Sequence, residues 1–381
     1  MTSQRRRDVM IIVPTGPNKE HSGTPDVVIC VDGGAVARLG PLLRHLCVGL
    51  VDQAVRIRLL SSNPQIETLS LGPIQSLVHS PIRWPATRRR VERIVEALSS
   101  RPPHVVHAVS GQTYGLAQIL ADEFDVDPVL TVSSVADCEA VANQTGVRPP
   151  HVIASSAPLL EMLKRQLRIP AERLILIRPG VLARSEAACF AHEGYLATLL
   201  CGSALERERQ VETFVEAVAL LHDRGREILG FVVGGGQQER PLRKLVRWRR
   251  LSSVITFAPQ HGQTASVMES ADIFVVPAPG DTISVRVLLA MGAGVASVVA
   301  PNPVCDYIQD GLTAVVCTEP TSESFADAIE RLLIDPASAR RIATGGLEYV
   351  REHHTVSETA QRTANLYRRV AMSHTTYTIN T

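Results

Sequence analysis

The chain has 381 residues, of which 45% are apolar, and a formal net charge of +1 at pH 7. That length accommodates two ordinary domains with sizeable cores. So small a net charge argues against a general nucleic-acid binder or polyanion trap, and no nucleic-acid partner is expected. The 7 cysteines (Cys30, Cys47, Cys138, Cys189, Cys201, Cys305 and Cys317) are odd in number, scattered, and form no C-x-x-C pair. They read as reduced, mostly buried thiols of a cytoplasmic protein, with no zinc spacing among them. Arg5, Arg6 and Arg7 precede only a short apolar run at 9–13, so no secretion signal is read. The run closest to a membrane span, 287–301, is interrupted by Gly292 and Gly294 and falls short of the ~20 apolar residues a bilayer needs.

In chain order, 1–25 reads as a ragged segment with one possible strand at 8–13. A strand is predicted at 26–31, and Gly33-Gly34 opens a helix that runs to about residue 50. The next strand is 55–60, and a polar, proline-broken stretch follows to residue 85. Val91, Ile94, Val95 and Leu98 repeat at i, i+3, i+4, i+7, which predicts a helix over 88–99. Strand 104–109, helix 114–123, strand 128–132, strand 151–153, helix 158–167 and strand 173–177 complete the first series. Residues 181–194 read as a linker. The second series comprises strand 195–201, helix 211–221, strand 228–233, a triple glycine at 234–236, a basic helix at 239–250, strand 254–257 and helix 264–271. Helices at 322–333, 338–351 and 357–372 close the chain. Strands alternating with helices of this length imply parallel sheets joined by right-handed crossovers. The fold class is therefore α/β, with two Rossmann-like domains at 26–185 and 195–355 facing across a cleft, a crossover helix at 356–372 and a disordered tail at 373–381.

The stretch 271–311 is the most informative. A buried strand at 273–276 runs into a Pro/Gly loop, a short helix, a Gly-x-Gly stop and a second apolar strand at 296–300. Such a unit aims a helix N-terminus at the carboxyl edge of a parallel sheet, where free amides suit a phosphate. Gly280, Asp281 and Thr282 leave the backbone accessible, and the amides of Thr282, Ile283 and Ser284 are the expected diphosphate cradle. Gly234 and Gly235 permit close approach of a nucleotide. Gly292-Ala293-Gly294 follows a helix, so it reads as a helix stop rather than a dinucleotide fingerprint. No P-loop, G-x-S-x-G elbow or H-E-x-x-H is present.

The order of these landmarks resembles the GT-B glycosyltransferases, and family 4 in particular. The residues that carry it are Cys201-Gly202 with Glu216-Ala217, the strand and turn at 231–236, 266–278, 290–294, Asp306-Tyr307-Ile308 with Asp310-Gly311, and the tail at 355–369. Gly33-Gly34-Ala35, 104–107, 153–156 and Arg178-Pro179-Gly180 match more loosely in the first half. The resemblance implies a sugar moved from a nucleotide-diphosphate donor to a glycan or lipid-linked acceptor, with retention, no cofactor and no metal.

It also assigns positions. The family's two glutamates fall on Asp281, a carboxylate one methylene shorter that would contact the sugar, and on Leu289, which cannot accept the ribose hydrogen bond. The family's phosphate-gripping arginine and lysine fall on Ser203 and Arg209, and its sugar-side histidine falls at Ser133. His107, at the end of a strand, is the remaining imidazole candidate near the cleft, and Gly33 and Gly34 form the acceptor-side turn. Losing the ribose bond alone forfeits about 1.5–3 kcal/mol, so a degenerate protein that binds without catalysing is the alternative. Arg83, Arg88, Arg89 and Arg90 near Trp84, and the arginines at 240–250 around Trp248, raise peripheral contact with an anionic inner-membrane face.

Overall fold

The computed structural model describes residues 24–80, 87–142, 148–166, 169–187, 189–191, 195–202, 210–258 and 268–377. The expected strand at 8–13, Arg83, Trp84, Ser203, Arg209 and the first half of the expected helix at 264–271 lie outside them. The first lobe is a seven-stranded parallel sheet of order β3-β2-β1-β4-β5-β6-β7. Its strands are β1 Asp26–Val31, β2 Arg56–Ser61, β3 Gln75–Val78, β4 Val105–Ala108, β5 Pro128–Val132, β6 His151–Ala154 and β7 Leu174–Leu176. Helices α1 Gly33–Asp52, α2 Thr87–Ser99, α3 Gly111–Glu123, α4 Val135–Ala142 and α5 Ala157–Gln166 connect them. All six residues of β1 are buried, as befits a central strand covered on both faces.

The second sheet has the order β10-β9-β8-β11-β12-β13. It comprises β8 Ala197–Gly202, β9 Ile228–Val233, β10 Ile255–Ala258, β11 Ile273–Val276, β12 Ala296–Val299 and β13 Val315–Val316. Its helices are α6 Gln210–Asp223, α7 Glu239–Trp248, α8 Val285–Gly292, α9 Ser322–Ile334 and α10 Pro336–His353. Helix α11, Val356–Tyr377, returns to the first lobe and packs on α1 so closely that a Cβ on Gly49 would stand 2.7 Å from Ala360 Cβ. One core runs continuously from the first sheet through Ile283, Tyr307 and Tyr367; a second fills the far side of the second sheet around Phe214 and Phe325.

Four expectations need correction. The proline-broken stretch holds a 3-10 turn at Pro64–Leu69 and the strand β3, whose half-exposed residues lack the apolar run of an inner strand. Helix α4 is too short to show a period; Ser134 caps it, its hydroxyl accepting the Asp137 amide at 3.0 Å. The last helix continues to Tyr377, so the tail beyond 372 is not wholly irregular. Helix α1, rather than 287–301, is the described segment with the length and hydropathy of a membrane span. It serves as a core helix here, with eight buried residues that include Leu39, Leu42, Leu43 and Leu50.

Candidate functional site

In each sheet the strand order reverses once, between β1 and β4 and between β8 and β11. Open parallel sheets leave a crevice at such a reversal, outside the carboxyl ends of the strands. In the second lobe Gly202 and the loop 277–284 flank that crevice. Gly280 is required by close packing: a Cβ there would lie 2.6 Å from Asn302 Nδ2. Asn302 in turn donates to the Thr282 carbonyl at 2.9 Å, which fixes the loop's path. Asp281 is exposed at the loop's tip.

The loop reaches across the cleft. Ile283 donates its amide to the Ser133 carbonyl at 2.8 Å, and Val135 donates to the Asp281 carbonyl at 2.9 Å, making an antiparallel bridge between Ser134 and Thr282. The Thr282 hydroxyl also donates to Ser133 O at 3.0 Å. The Ser284 amide donates to the buried Tyr307 hydroxyl at 2.7 Å. The expected cradle of three amides is therefore corrected: those of Ile283 and Ser284 are spent on holding the lobes and the loop together. The amide of Thr282 makes no hydrogen bond among the described residues, and neither do those of the first turn of α8, Val285 to Val287, which a helix leaves without internal partners. At the other end of α8 the helix stop is present, with Gly294 at φ +70° and its amide donating to Met291 O.

The first lobe supplies the facing wall. Asp32 caps α1, accepting the Ala35 amide at 2.8 Å, so Gly33 and Gly34 form its opening turn, with Gly34 exposed. Ser133 is buried, and Asp137 accepts both its amide (2.9 Å) and its hydroxyl (3.1 Å). The same carboxylate accepts the Gly111 amide at 2.7 Å and so ties two loops of the cleft edge together. His107 is not a free imidazole. It is 1% exposed, Nδ1 bonds the Tyr367 hydroxyl at 2.6 Å, Nε2 bonds the Thr131 hydroxyl at 2.8 Å, and burial lowers its pKa to about 3. Its placement in the catalytic set is corrected on that ground. Between α1, α11 and the carboxyl ends of β4 to β7 lies an apolar cavity with a volume of ≈ 70 Å³, lined by Leu39, Leu42, Leu43, Leu46, Ile153 and Ile283 among others.

A second cross-lobe tie lies at the hinge. Asp306 accepts from Arg178 at 2.7 Å and from the Ala157 amide, at the start of α5, at 3.2 Å. Gly180 passes so close to α11 that a Cβ would meet Val356 Cα at 2.6 Å.

Gly234 lies buried at the end of β9, and its amide donates to Ala258 O at 3.2 Å; Gly235 is exposed beside it. Leu289 packs against the core, so α8 offers no hydrogen-bonding side chain there. The structure adds two residues that pattern reading missed, Asn302 and Arg286, the second residue of α8, and gives Tyr307, until then only a landmark of the resemblance, its part in holding the loop. Each acts on a partner distant in sequence, so no local pattern shows what it does. All seven cysteines are buried and unpaired, as expected, and burial raises the thiols, that of Cys201 to about 12. Part of the basic charge at 240–250 is neutralised by other protein groups, Arg243 by Glu239 within α7 and Arg249, just past its end, by Glu216 of α6.

Residues 197–335 match the family model described as glycosyl transferases group 1. The alpha-D-kanosaminyltransferase of Streptomyces kanamyceticus is 28% identical over 168 residues, which cover 43% of this chain and 44% of that protein. The match thus spans less than half of that relative's length. Among solved structures, a glycosyltransferase from Rickettsia africae ESF-5 superposes with a TM-score of 0.72 at 13% identity, covering 91% of this chain and 98% of that one. HepE of Anabaena, in complex with UDP-glucose, gives a TM-score of 0.73 at 15% identity, with 90% and 99% covered. The two parallel sheets meeting across a cleft, with a last helix that crosses back, are the GT-B fold, and the stretch that matches the glycosyl transferases group 1 model, 197–335, makes up most of its second lobe.

Proposed function

We propose that this chain is a glycosyltransferase that moves a sugar from a nucleoside diphosphate sugar to an acceptor hydroxyl. The observation that carries this reading is the exposed Asp281 at the tip of a loop on the second sheet's reversal crevice, inside the group 1 domain and held against the first lobe. In this reading the donor diphosphate meets the first-turn amides of α8, and Asp281 accepts hydrogen bonds from the sugar hydroxyls. The bond from the anomeric carbon to the diphosphate oxygen breaks, and its electron pair goes to the leaving diphosphate. The acceptor oxygen bonds the anomeric carbon and passes its proton to that same oxygen. Preorganised amides at the site of developing charge lower the barrier without reorganising. Retention belongs to this reading through the family resemblance. So does independence of metal, which adding EDTA to the transfer assay tests. The apolar cavity of the first lobe supports an acceptor with an apolar portion, such as a lipid-linked one. Trp248, 71% exposed beside Arg247 and Arg250, supports peripheral membrane contact, tested by co-sedimentation with anionic vesicles.

A panel of UDP-, GDP- and ADP-sugars tests the reading. At least one is expected to raise the melting temperature, since binding adds about 2.7 kcal/mol at a hundredfold excess over Kd. The same donor is expected to be slowly hydrolysed, and Asp281→Ala to abolish that hydrolysis. Leu289, packed against the core where a ribose contact was expected, favours one second reading, a protein that binds without turnover. Stabilisation by a donor with neither hydrolysis nor transfer decides for it.

A further inference from the structure

The reversal crevice of the second sheet holds a cation that no group among the described residues balances. The Arg286 side chain lies over Gly202, the last residue of β8; a Cβ on that glycine would stand 3.3 Å from Arg286 Cδ and 3.7 Å from Nε. The side chain is half-buried, and it makes no ion pair or hydrogen bond among the described residues. Other arginines drawn in from solvent are matched: Arg58 meets Asp26 at 2.5 Å and Arg178 meets Asp306 at 2.7 Å. Two effects oppose a cation at this point. Burial strips water from it, which holds its pKa below the usual arginine value against the opposing influence of Cys201. Position two of α8 also lies at the positive end of the helix dipole, and the first turn carries no acidic residue to offset it. A guanidinium under both penalties, with Gly202 leaving room beneath it, is matched by an anion brought in from outside. The fork of a guanidinium fits phosphate oxygens two at a time, and the open amides of Val285 to Val287 stand in the same turn.

We propose that Arg286 grips the diphosphate of the donor nucleotide, its guanidinium bonding the phosphate oxygens in the crevice between β8 and β11. This rests on the donor site proposed above and names a residue of that site. The probe is inorganic pyrophosphate, with UDP, GDP and ADP in parallel, titrated calorimetrically into the full chain at low and moderate salt. Arg286→Met keeps the aliphatic stem over Gly202 and removes only the charge; Arg286→Lys keeps a point charge. Arg243→Ala, on the outer face of α7, reports non-specific attraction. Pyrophosphate and at least one nucleoside diphosphate are expected to bind the unaltered chain. Arg286→Met is expected to weaken both at least tenfold, Arg286→Lys less, and Arg243→Ala not at all. Equal affinity in Arg286→Met and the unaltered chain overturns the proposal, as does equal weakening by Arg243→Ala or no binding of pyrophosphate at all. Turnover of nucleotide sugars separates the two readings. If the chain transfers sugar and Arg286→Met binds pyrophosphate normally, only Arg286 loses its role. If Arg286 governs anion binding and no donor is turned over, the transferase reading fails and the anion site stands.

Discussion

His107 lies near the carboxyl end of β4, yet both ring nitrogens are already bonded and burial holds its pKa near 3. His354 is held near 4, chiefly by burial, with Nδ1 bonded to Pro179 O at 2.8 Å. Both are depressed from an ordinary 6.5, so the unfolded chain takes up protons that the folded chain refuses. Their contribution to stability is complete above pH 6.5 and is lost as pH falls toward those lowered values. At pH 5 the pair is expected to cost about 4 kcal/mol, from 1.36 kcal/mol per unit for each ring. Urea unfolding at pH 8, 6.5 and 5 checks this, and a constant free energy across that range would contradict it. Asp281 behaves differently because it is exposed. Asp281→Asn is expected to leave stability within about 0.5 kcal/mol while lowering kcat/KM for the donor about 10- to 100-fold, the loss of one charge-assisted hydrogen bond. Parallel unfolding and kinetic measurements separate the two effects.

Among the elements, the loop before α8 depends on a tyrosine beyond the next strand. Tyr307 is fully buried; its hydroxyl accepts the Ser284 amide at 2.7 Å and the Cys305 thiol at 3.1 Å. Tyr307→Phe leaves the Ser284 amide only the weaker Cys305 sulfur, at 3.4 Å, and takes the hydroxyl donor from the Ser284 carbonyl. It is expected to destabilise the chain by about 1 kcal/mol, the net contribution of a hydrogen bond, and to weaken donor binding because the entry to α8 is held less firmly. Chemical denaturation and donor calorimetry on this variant check both parts; unchanged stability would mean that water replaces the hydroxyl. The inner strands were legible in the sequence because runs such as Val27 to Val31 are wholly buried. Strand β3 and helix α4 were not, since a half-exposed edge strand and a two-turn helix carry too few apolar positions to define a period.

For the whole molecule, two ties set the width of the cleft: the bridge between Ser134 and Thr282, and Asp306 with Arg178 and the Ala157 amide. Asp306→Ala removes the second. Hydrogen bonds to a charged group contribute about 1.5–3 kcal/mol each, so the open form is expected to gain at least tenfold in population. Faster amide exchange at 133–135 and 280–284, with a higher KM for donor at similar kcat, is the expected result; unchanged exchange would show that the bridge suffices alone.

The chain's pattern of buried strands, helical periods and glycine stops determined two parallel α/β lobes and put the loop 280–284 at the carboxyl edge of the second sheet, because burial and backbone conformation are local demands that leave a local trace. Tertiary structure alone decided which groups in that loop remain open. The amides of Ile283 and Ser284 are consumed by Ser133 and Tyr307, the His107 ring is held by Tyr367 and Thr131, and Arg286 is left over Gly202 without a counter-ion among the described residues. A hydrogen bond or a missing charge partner depends on what folding brings within about 3 Å, and residues that are far apart along the chain carry no sign of that meeting in their order.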